Sequence, residues 1–218
     1  MPERIERAAH HGEELNTGPV APAREAASVI VLRDSAGGPE VLLVQRNPEQ
    51  RFMGGAWVFP GGAVHADDGS PAEAGRRELD EEAGVPLQDV SGFVPFSRWI
   101  TPVEAKIRFD THFFVVEAPA GIEPRCDGQE CVDVRWMRPA DALEGGKRGE
   151  LILVFPTIKH LEQLAGFASV SDALDTARNR DVQPVMPKIV VEEDAATIVL
   201  PGEPGYDSAT PDTRDPAP

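Results

Sequence analysis

Ser70-Pro71-Ala72-Glu73 and Gly84-Val85-Pro86 punctuate the chain so closely that the residues between them have one local solution, an α-helix over 71–83. Serine is a preferred N-cap, proline suits the first helical position, and glutamate three residues after the cap completes a capping box. Glycine followed by proline ends a helix. At about 100° per residue, Ala72, Gly75, Leu79 and Ala83 share a narrow stripe, suited to packing on a sheet.

Short β-rich runs supply that sheet. Ala27–Arg33 and Val41–Arg46 flank Asp34-Ser35-Ala36-Gly37-Gly38-Pro39, which reads as a hairpin with a long turn. Trp57–Phe59 is stopped by Pro60-Gly61-Gly62, and Phe93–Ile100, Arg108–Glu117 and Cys131–Trp136 follow as further strands. Helices are expected at 139–144, 156–167 and 170–180, and Lys188–Leu200 alternates enough to be a strand. Strands and helices interleave without a strict βαβ repeat, so the fold class is α/β in the α+β sense, a mixed sheet flanked by helices. The organisation expected is an N-terminal tail over 1–24, a domain over 25–145, a helical C-terminal extension over 146–200, and a tail over 201–218 whose five prolines favour disorder from 207.

Charge narrows the function. Lys plus Arg total 21 against 37 Asp plus Glu, a net charge of −16, which opposes binding to nucleic acid or anionic lipid. A polyanionic ligand then needs local arginines or a bound cation. No apolar run approaches the roughly 18 residues of a membrane span. Met1–Leu15 carries charges and no apolar h-region, so the expected location is the cytoplasm. Cys126 and Cys131 lack zinc-site spacing and are expected to be reduced packing residues.

Glu78, Glu81 and Glu82 fan out beside the helix stripe, and like charges at this spacing repel by a few tenths of a kcal/mol per pair, about 0.2–0.5. Something positive should sit there. Arg76–Asp80 and Arg77–Glu81 pairs at i,i+4 would make this an ordinary solvated face, whereas a hard cation such as Mg²⁺ or Mn²⁺ would take the same carboxylate oxygens as ligands. Upstream, Phe59-Pro60-Gly61-Gly62 puts bare backbone at a strand end, where a carbonyl or phosphate can approach closely.

Taken with Gly61-Gly62, the string Arg77-Glu78-Leu79-Asp80-Glu81-Glu82-Ala83-Gly84-Val85 resembles the nudix hydrolase signature. Between Gly62 and Arg77 it departs from the usual pattern, with Asp68 in place of a glutamate and one extra residue. The resemblance implies a nudix fold, an α/β/α sandwich. It implies that Glu78, Glu81 and Glu82 bind catalytic Mg²⁺ or Mn²⁺, that Arg77 orients a glutamate, and that the backbone of Gly61 and Gly62 completes the site. The reaction implied is hydrolysis of a nucleoside diphosphate linked to another moiety, with metal-activated water attacking phosphorus. The general base is either a metal-site glutamate or Glu130, which lies in Asp127-Gly128-Gln129-Glu130 before a strand and could swing over the site.

Arg46, Arg51, Gly55 and Phe59-Pro60-Gly61-Gly62 are similar to a motif of the coenzyme A diphosphatase branch, which shares the aspartate and the extra residue; Val44 and Asn47 stand where that motif has hydroxyl residues. Trp99-Ile100-Thr101-Pro102 and Arg108–Phe114 also look like members of that branch. Arg46, Arg51 and Arg108 beside an acidic helix would suit a multiply phosphorylated ligand. The small-molecule substrate expected is therefore coenzyme A or acyl-coenzyme A. ADP-ribose, dinucleotide cofactors and oxidised nucleotides remain alternatives within the family, and a non-catalytic ligand-binding module is the alternative outside catalysis. Family members often pair as homodimers, and the C-terminal helices could serve that end.

Overall fold

The computed structural model describes residues 3–5, 15–16, 18–192 and 195–207. The elements in chain order are β1 (Glu3–Ile5), β2 (Arg24–Ser35), β3 (Gly38–Arg46), β4 (Ala56–Val58), β5 (Gly61–Ala63) and α1 (Pro71–Ala83). There follow β6 (Val94–Ile100), β7 (Phe109–Glu117), β8 (Cys131–Met137), α2 (Pro139–Lys147), β9 (Ile152–Leu153) and α3 (Phe155–Leu164). The chain continues with α4 (Val170–Arg178), β10 (Pro184–Val185), β11 (Lys188–Glu192) and β12 (Ala195–Val199). No described helix is long and apolar enough to cross a membrane.

β2 sits at the centre because both of its faces are apolar. Its Ala27, Val29 and Val31 point one way and Ala26, Ile30 and Leu32 the other, all buried. Around it a nine-stranded sheet runs β10-β6-β7-β2-β3-β4-β9, with β5 added on β2 and β8 on β3. The β2–β7, β6–β10 and β4–β9 pairs are parallel and the rest antiparallel, giving the mixed sheet expected. β2 and β3 pair out to Ser35 and Gly38, so the turn between them is two residues rather than six. Gly38, at φ 105°, takes the left-handed conformation that closes it early.

α1 lies on one face of the sheet, where Leu79, Ala83 and Val85 pack with Val29, Val31, Leu42 and Val44. Ser70 accepts the Glu73 N–H as expected, while the Glu73 carboxylate pairs with Arg76 instead of closing a capping box; Gly84, left-handed, donates its N–H to the Asp80 carbonyl and Val85 donates its N–H to that of Leu79. The opposite face is covered by α2, α3 and α4. Leu161, Leu164, Val170, Ala173 and Leu174 join Ile30, Leu32, Trp57, Phe59, Phe96 and Phe113 in a single cluster. These layers make the α/β/α sandwich. Within the segment expected as an extension from 146, α3 and α4 share the cover of this face with α2.

At the centre of that face His160 is fully buried among Phe59, Phe96, Trp99 and Phe113, its Nε2 bonded to the Ser97 hydroxyl at 2.6 Å. Lys188–Leu200 is two strands, β11 and β12 paired antiparallel, and β12 also pairs with β1. Part of the stretch read as an N-terminal tail is therefore engaged by the body: Glu3–Ile5 lies in this small sheet, and Asn16 donates its N–H to the Glu104 carbonyl. Of the second tail, 208–218 lies outside the described residues, while the Tyr206 hydroxyl donates to the Met186 carbonyl.

Candidate active site

α1 presents more than its apolar stripe to the sheet. Glu78 and Glu82, one turn apart, are buried along with Ala74, Gly75, Leu79 and Ala83. They end against β5, a three-residue strand that pairs Gly61 with Ser28 and Gly62 with Ala27. The Gly61 N–H donates to Glu82 Oε2 at 2.9 Å. A Cβ on Gly62 would lie 2.4 Å from Glu78 Oε1, and one on Gly61 would lie 2.3 Å from the Ala27 carbonyl oxygen. Only glycine lets the helix carboxylates reach the strand backbone.

Two arginines answer the charge. Arg46, at the end of β3, sets Nη1 4.0 Å from Glu82 Oε1, while its other nitrogens are held by the Phe52 carbonyl and the Gln50 side chain. Arg77 is the hub on the other side. It grips Asp68 with Nε at 3.1 Å and Nη2 at 2.9 Å, and donates from Nη1 to Glu78 at 2.7 Å and to Glu81 at 3.1 Å. Nη2 also reaches the Ala63 carbonyl at 3.2 Å. The Arg77–Glu81 pair expected on a solvated face is thus present, but it belongs to this network. Arg76 pairs with Glu73 instead of Asp80.

These contacts set the protonation states. The hydrogen bonds from Arg77 hold Asp68 down at about 2 in spite of some burial, aided by the His65 N–H. Arg77 is pushed up, first by Asp68 and then by Glu78 and Glu81. Burial raises Glu78 above the ordinary carboxylate range, against the pull of Arg77. Burial raises Glu82 to about 7, opposed by the Gly61 N–H and Arg46 and assisted by the negative charges of Glu78 and Glu130. A pair of buried carboxylates this hard to ionise is short of positive charge.

The donor set fits a hard divalent cation: Glu78 and Glu82 lie one turn apart on α1, both buried and under-compensated, with Glu81 on the exposed rim. Among the described residues no three acidic, His or Cys side chains converge into a ready cage. Mg²⁺ in particular is usually held by one or two carboxylates together with water and substrate phosphates, so an open site suits it.

The structure gathers Glu78, Glu81, Glu82, Arg77, Gly61, Gly62 and Arg46 in one place. Glu130 stands at the mouth, exposed, its charge felt by both Glu78 and Glu82. Arg51 is exposed on the 47–55 loop. Arg108 is different. Its guanidinium is buried and donates to the carbonyls of Ala21 at 2.7 Å and of Thr101 and Pro102 at 3.1 Å. With Nε and Nη1 on backbone carbonyls and Nη2 3.8 Å from Met186 Sδ, it sits in a packing role instead of the phosphate-binding one expected. Two contributors have no role assigned from the sequence: Asp68, noted there only as a departure from the signature, and Cys131, whose buried thiol lies against Glu82 and is pushed up by burial. Chain spacing could have flagged Asp68, whereas the β3–β8 register that sets Cys131 opposite Arg46 has no local signal.

Known proteins resemble this chain in sequence and in fold. A sequence model of the NUDIX domain matches residues 22–155. The chain is 30% identical over 139 residues to the uncharacterized Nudix hydrolase NudL of Citrobacter koseri, covering 63% of this chain and 66% of that protein. It is also 30% identical over 125 residues to the acyl-coenzyme A diphosphatase NUDT19 of Homo sapiens, covering 54% of this chain and 33% of that protein. The matched part thus spans less than two thirds of either curated relative. Among solved structures, a NUDIX hydrolase from Alicyclobacillus acidocaldarius superposes with a TM-score of 0.65 at 27% identity, over 73% of this chain and 99% of that one. The NUDIX domain of Shewanella oneidensis NrtR, solved with ADP ribose, shares the fold with a TM-score of 0.53 at 20% identity, over 66% of this chain and 86% of that one.

Proposed function

The chain belongs to the NUDIX hydrolases, and from that premise we propose that it is a Mg²⁺- or Mn²⁺-dependent diphosphatase acting on a nucleoside diphosphate derivative, with coenzyme A or acyl-coenzyme A as substrate. The observation that carries the reading is the Glu78–Glu82 carboxylate pair, buried against Gly61 and Gly62 and bracketed by Arg46 and Arg77.

A bound divalent cation supplies Lewis-acid polarisation of the phosphate oxygens and a water of lowered pKa. Glu78 and Glu82 would hold it, with Glu81 and the Gly62 backbone as further oxygen donors. Arg77 fixes the rotamers of Glu78 and Glu81 while Asp68 anchors its far side. Glu130, exposed at the mouth, is the acid–base group that takes the proton of the attacking water. Arg46 and Arg51 provide the positive charge a substrate with several phosphates requires in a chain of net charge −16.

Coenzyme A is favoured by Arg46, Arg51, Gly55 and Phe59–Gly62, spaced as in that branch, and by the similarity to an acyl-coenzyme A diphosphatase. The test is product analysis by mass spectrometry after incubation with Mg²⁺ or Mn²⁺ and coenzyme A, acetyl-coenzyme A, ADP-ribose and dinucleotide cofactors. Release of 3′,5′-ADP from the coenzyme A species supports the assignment. Cleavage confined to ADP-ribose or a dinucleotide overturns the substrate, and no metal-dependent cleavage overturns the reaction.

A further inference from the structure

Two loops meet at the mouth of the site: 47–55 between β3 and β4, and 118–130 between β7 and β8, which ends in Glu130. Asn47 joins them. Its main-chain N–H donates to the Glu130 carbonyl at 2.8 Å and its side-chain amide donates to the Gln129 carbonyl at 2.8 Å. Asn47 is itself held in a turn, with Oδ1 accepting the Glu49 N–H at 3.0 Å and its carbonyl accepting the Gln50 N–H at 2.9 Å. From the other side Asp127 accepts the Glu130 N–H at 2.9 Å and the Cys131 N–H at 2.8 Å, and Gly128 donates to the Cys131 carbonyl at 2.9 Å.

Both main-chain groups of Glu130 are therefore committed, the N–H to Asp127 and the carbonyl to Asn47. A residue that swings in as a lid would have to give up these bonds; Glu130 is mounted instead. We infer that Asn47 is a positioning residue for Glu130, tying the loop that carries this carboxylate to the loop that carries Arg51 and holds Arg46. The inference rests on the reading of Glu130 as the acid–base group. It also gives a use to the asparagine at a position where the coenzyme A motif has a hydroxyl residue: the amide is long enough to span the loops.

The variants Asn47→Ala, Asn47→Ser, Glu130→Gln and Asn47→Ser/Glu130→Gln test it in the full chain, with acetyl-coenzyme A and ADP-ribose as probes in the presence of Mg²⁺. Serine can still accept the Glu49 N–H but is too short to reach Gln129, so it removes the side-chain bond between the loops while keeping the turn and the main-chain bond from residue 47 to the Glu130 carbonyl. Displacing a catalytic group by about 1 Å costs up to about 100-fold, so both Asn47 variants should lose roughly 10- to 100-fold in kcat with KM within about twofold. In the Glu130→Gln background Asn47→Ser should add nothing, the mark of residues acting as a unit. Normal kcat in Asn47→Ser beside an impaired Glu130→Gln overturns the inference alone, as does a loss that persists in the double variant or one confined to KM. An unimpaired Glu130→Gln, or turnover of neither probe by the unaltered protein, overturns the underlying reading and the inference with it.

Discussion

His160 makes the second core sensitive to acid. Its ring is fully buried among four aromatic rings, the nearest being Phe113 with centroids 4.2 Å apart. Nε2 is satisfied by Ser97, while Nδ1 is buried without a well-formed hydrogen bond, although the Pro156 carbonyl on the same helix weakly favours a proton there. Burial dominates and lowers the imidazole from 6.5 to about 3. The folded state thus requires neutral His160, so this contribution is fully present above 6.5 and is lost as pH falls toward 3. With those two values, the linkage relation gives a loss of about 2 kcal/mol between about pH 7.5 and pH 5, on the way to about 5 kcal/mol below both. The perturbation is His160→Phe, which keeps an aromatic ring in the cage, does not titrate, and leaves the Ser97 hydroxyl unpaired at a pH-independent cost of about 1–3 kcal/mol. Urea denaturation of both proteins at the two pH values isolates the site, since every other titrating group cancels in the double difference. The variant should lose about 2 kcal/mol less than the unaltered protein on acidification. Equal losses would refute the assignment of a buried neutral imidazole.

Glu82→Gln should abolish most metal-dependent turnover while raising the stability of the metal-free protein at about pH 8 by some 2–3 kcal/mol, because the raised carboxyl of Glu82 destabilises the fold as pH climbs from 4.5 through about 7. Thermal melts with and without Mg²⁺ check this, and a variant less stable than the unaltered protein at that pH would contradict it. Gly62→Ala puts a methyl 2.4 Å from Glu78 Oε1, so Glu78 must leave the strand; kcat should fall by about 100-fold or more with the circular dichroism spectrum retained. Arg108→Ala strands the carbonyls of Ala21, Thr101 and Pro102 and should cost about 1–3 kcal/mol in denaturation with KM unchanged. A raised KM would return Arg108 to the substrate.

Much of this was legible along the chain because the signals are local. The Ser70 cap with Pro71 and the stop at Gly84 give α1 its observed bounds, and the strands expected around 27–33, 41–46 and 131–136 lie within a few residues of those observed. The grouping of Glu78, Glu81 and Glu82 follows from helical spacing, and Arg77–Glu81 is an i,i+4 pair readable without a fold. The turn at 36–37 and the division of 188–200 were not legible, since each depends on how far two strands continue to pair.

The sequence by itself determined that this chain makes a capped, acid-bearing helix among short strands, because caps, periodicity and glycine breaks act over a few residues. Tertiary structure decided what the acids are. Glu78 and Glu82 became buried, hard-to-ionise groups only when β5 crossed under α1 with two glycines facing them, and Glu81 stayed in solvent one residue away. The same packing spent Arg108 on backbone carbonyls and left Arg46 beside Glu82, although the two arginines look alike in the sequence. Burial and charge partnership depend on elements distant in the chain, and no local pattern encodes them.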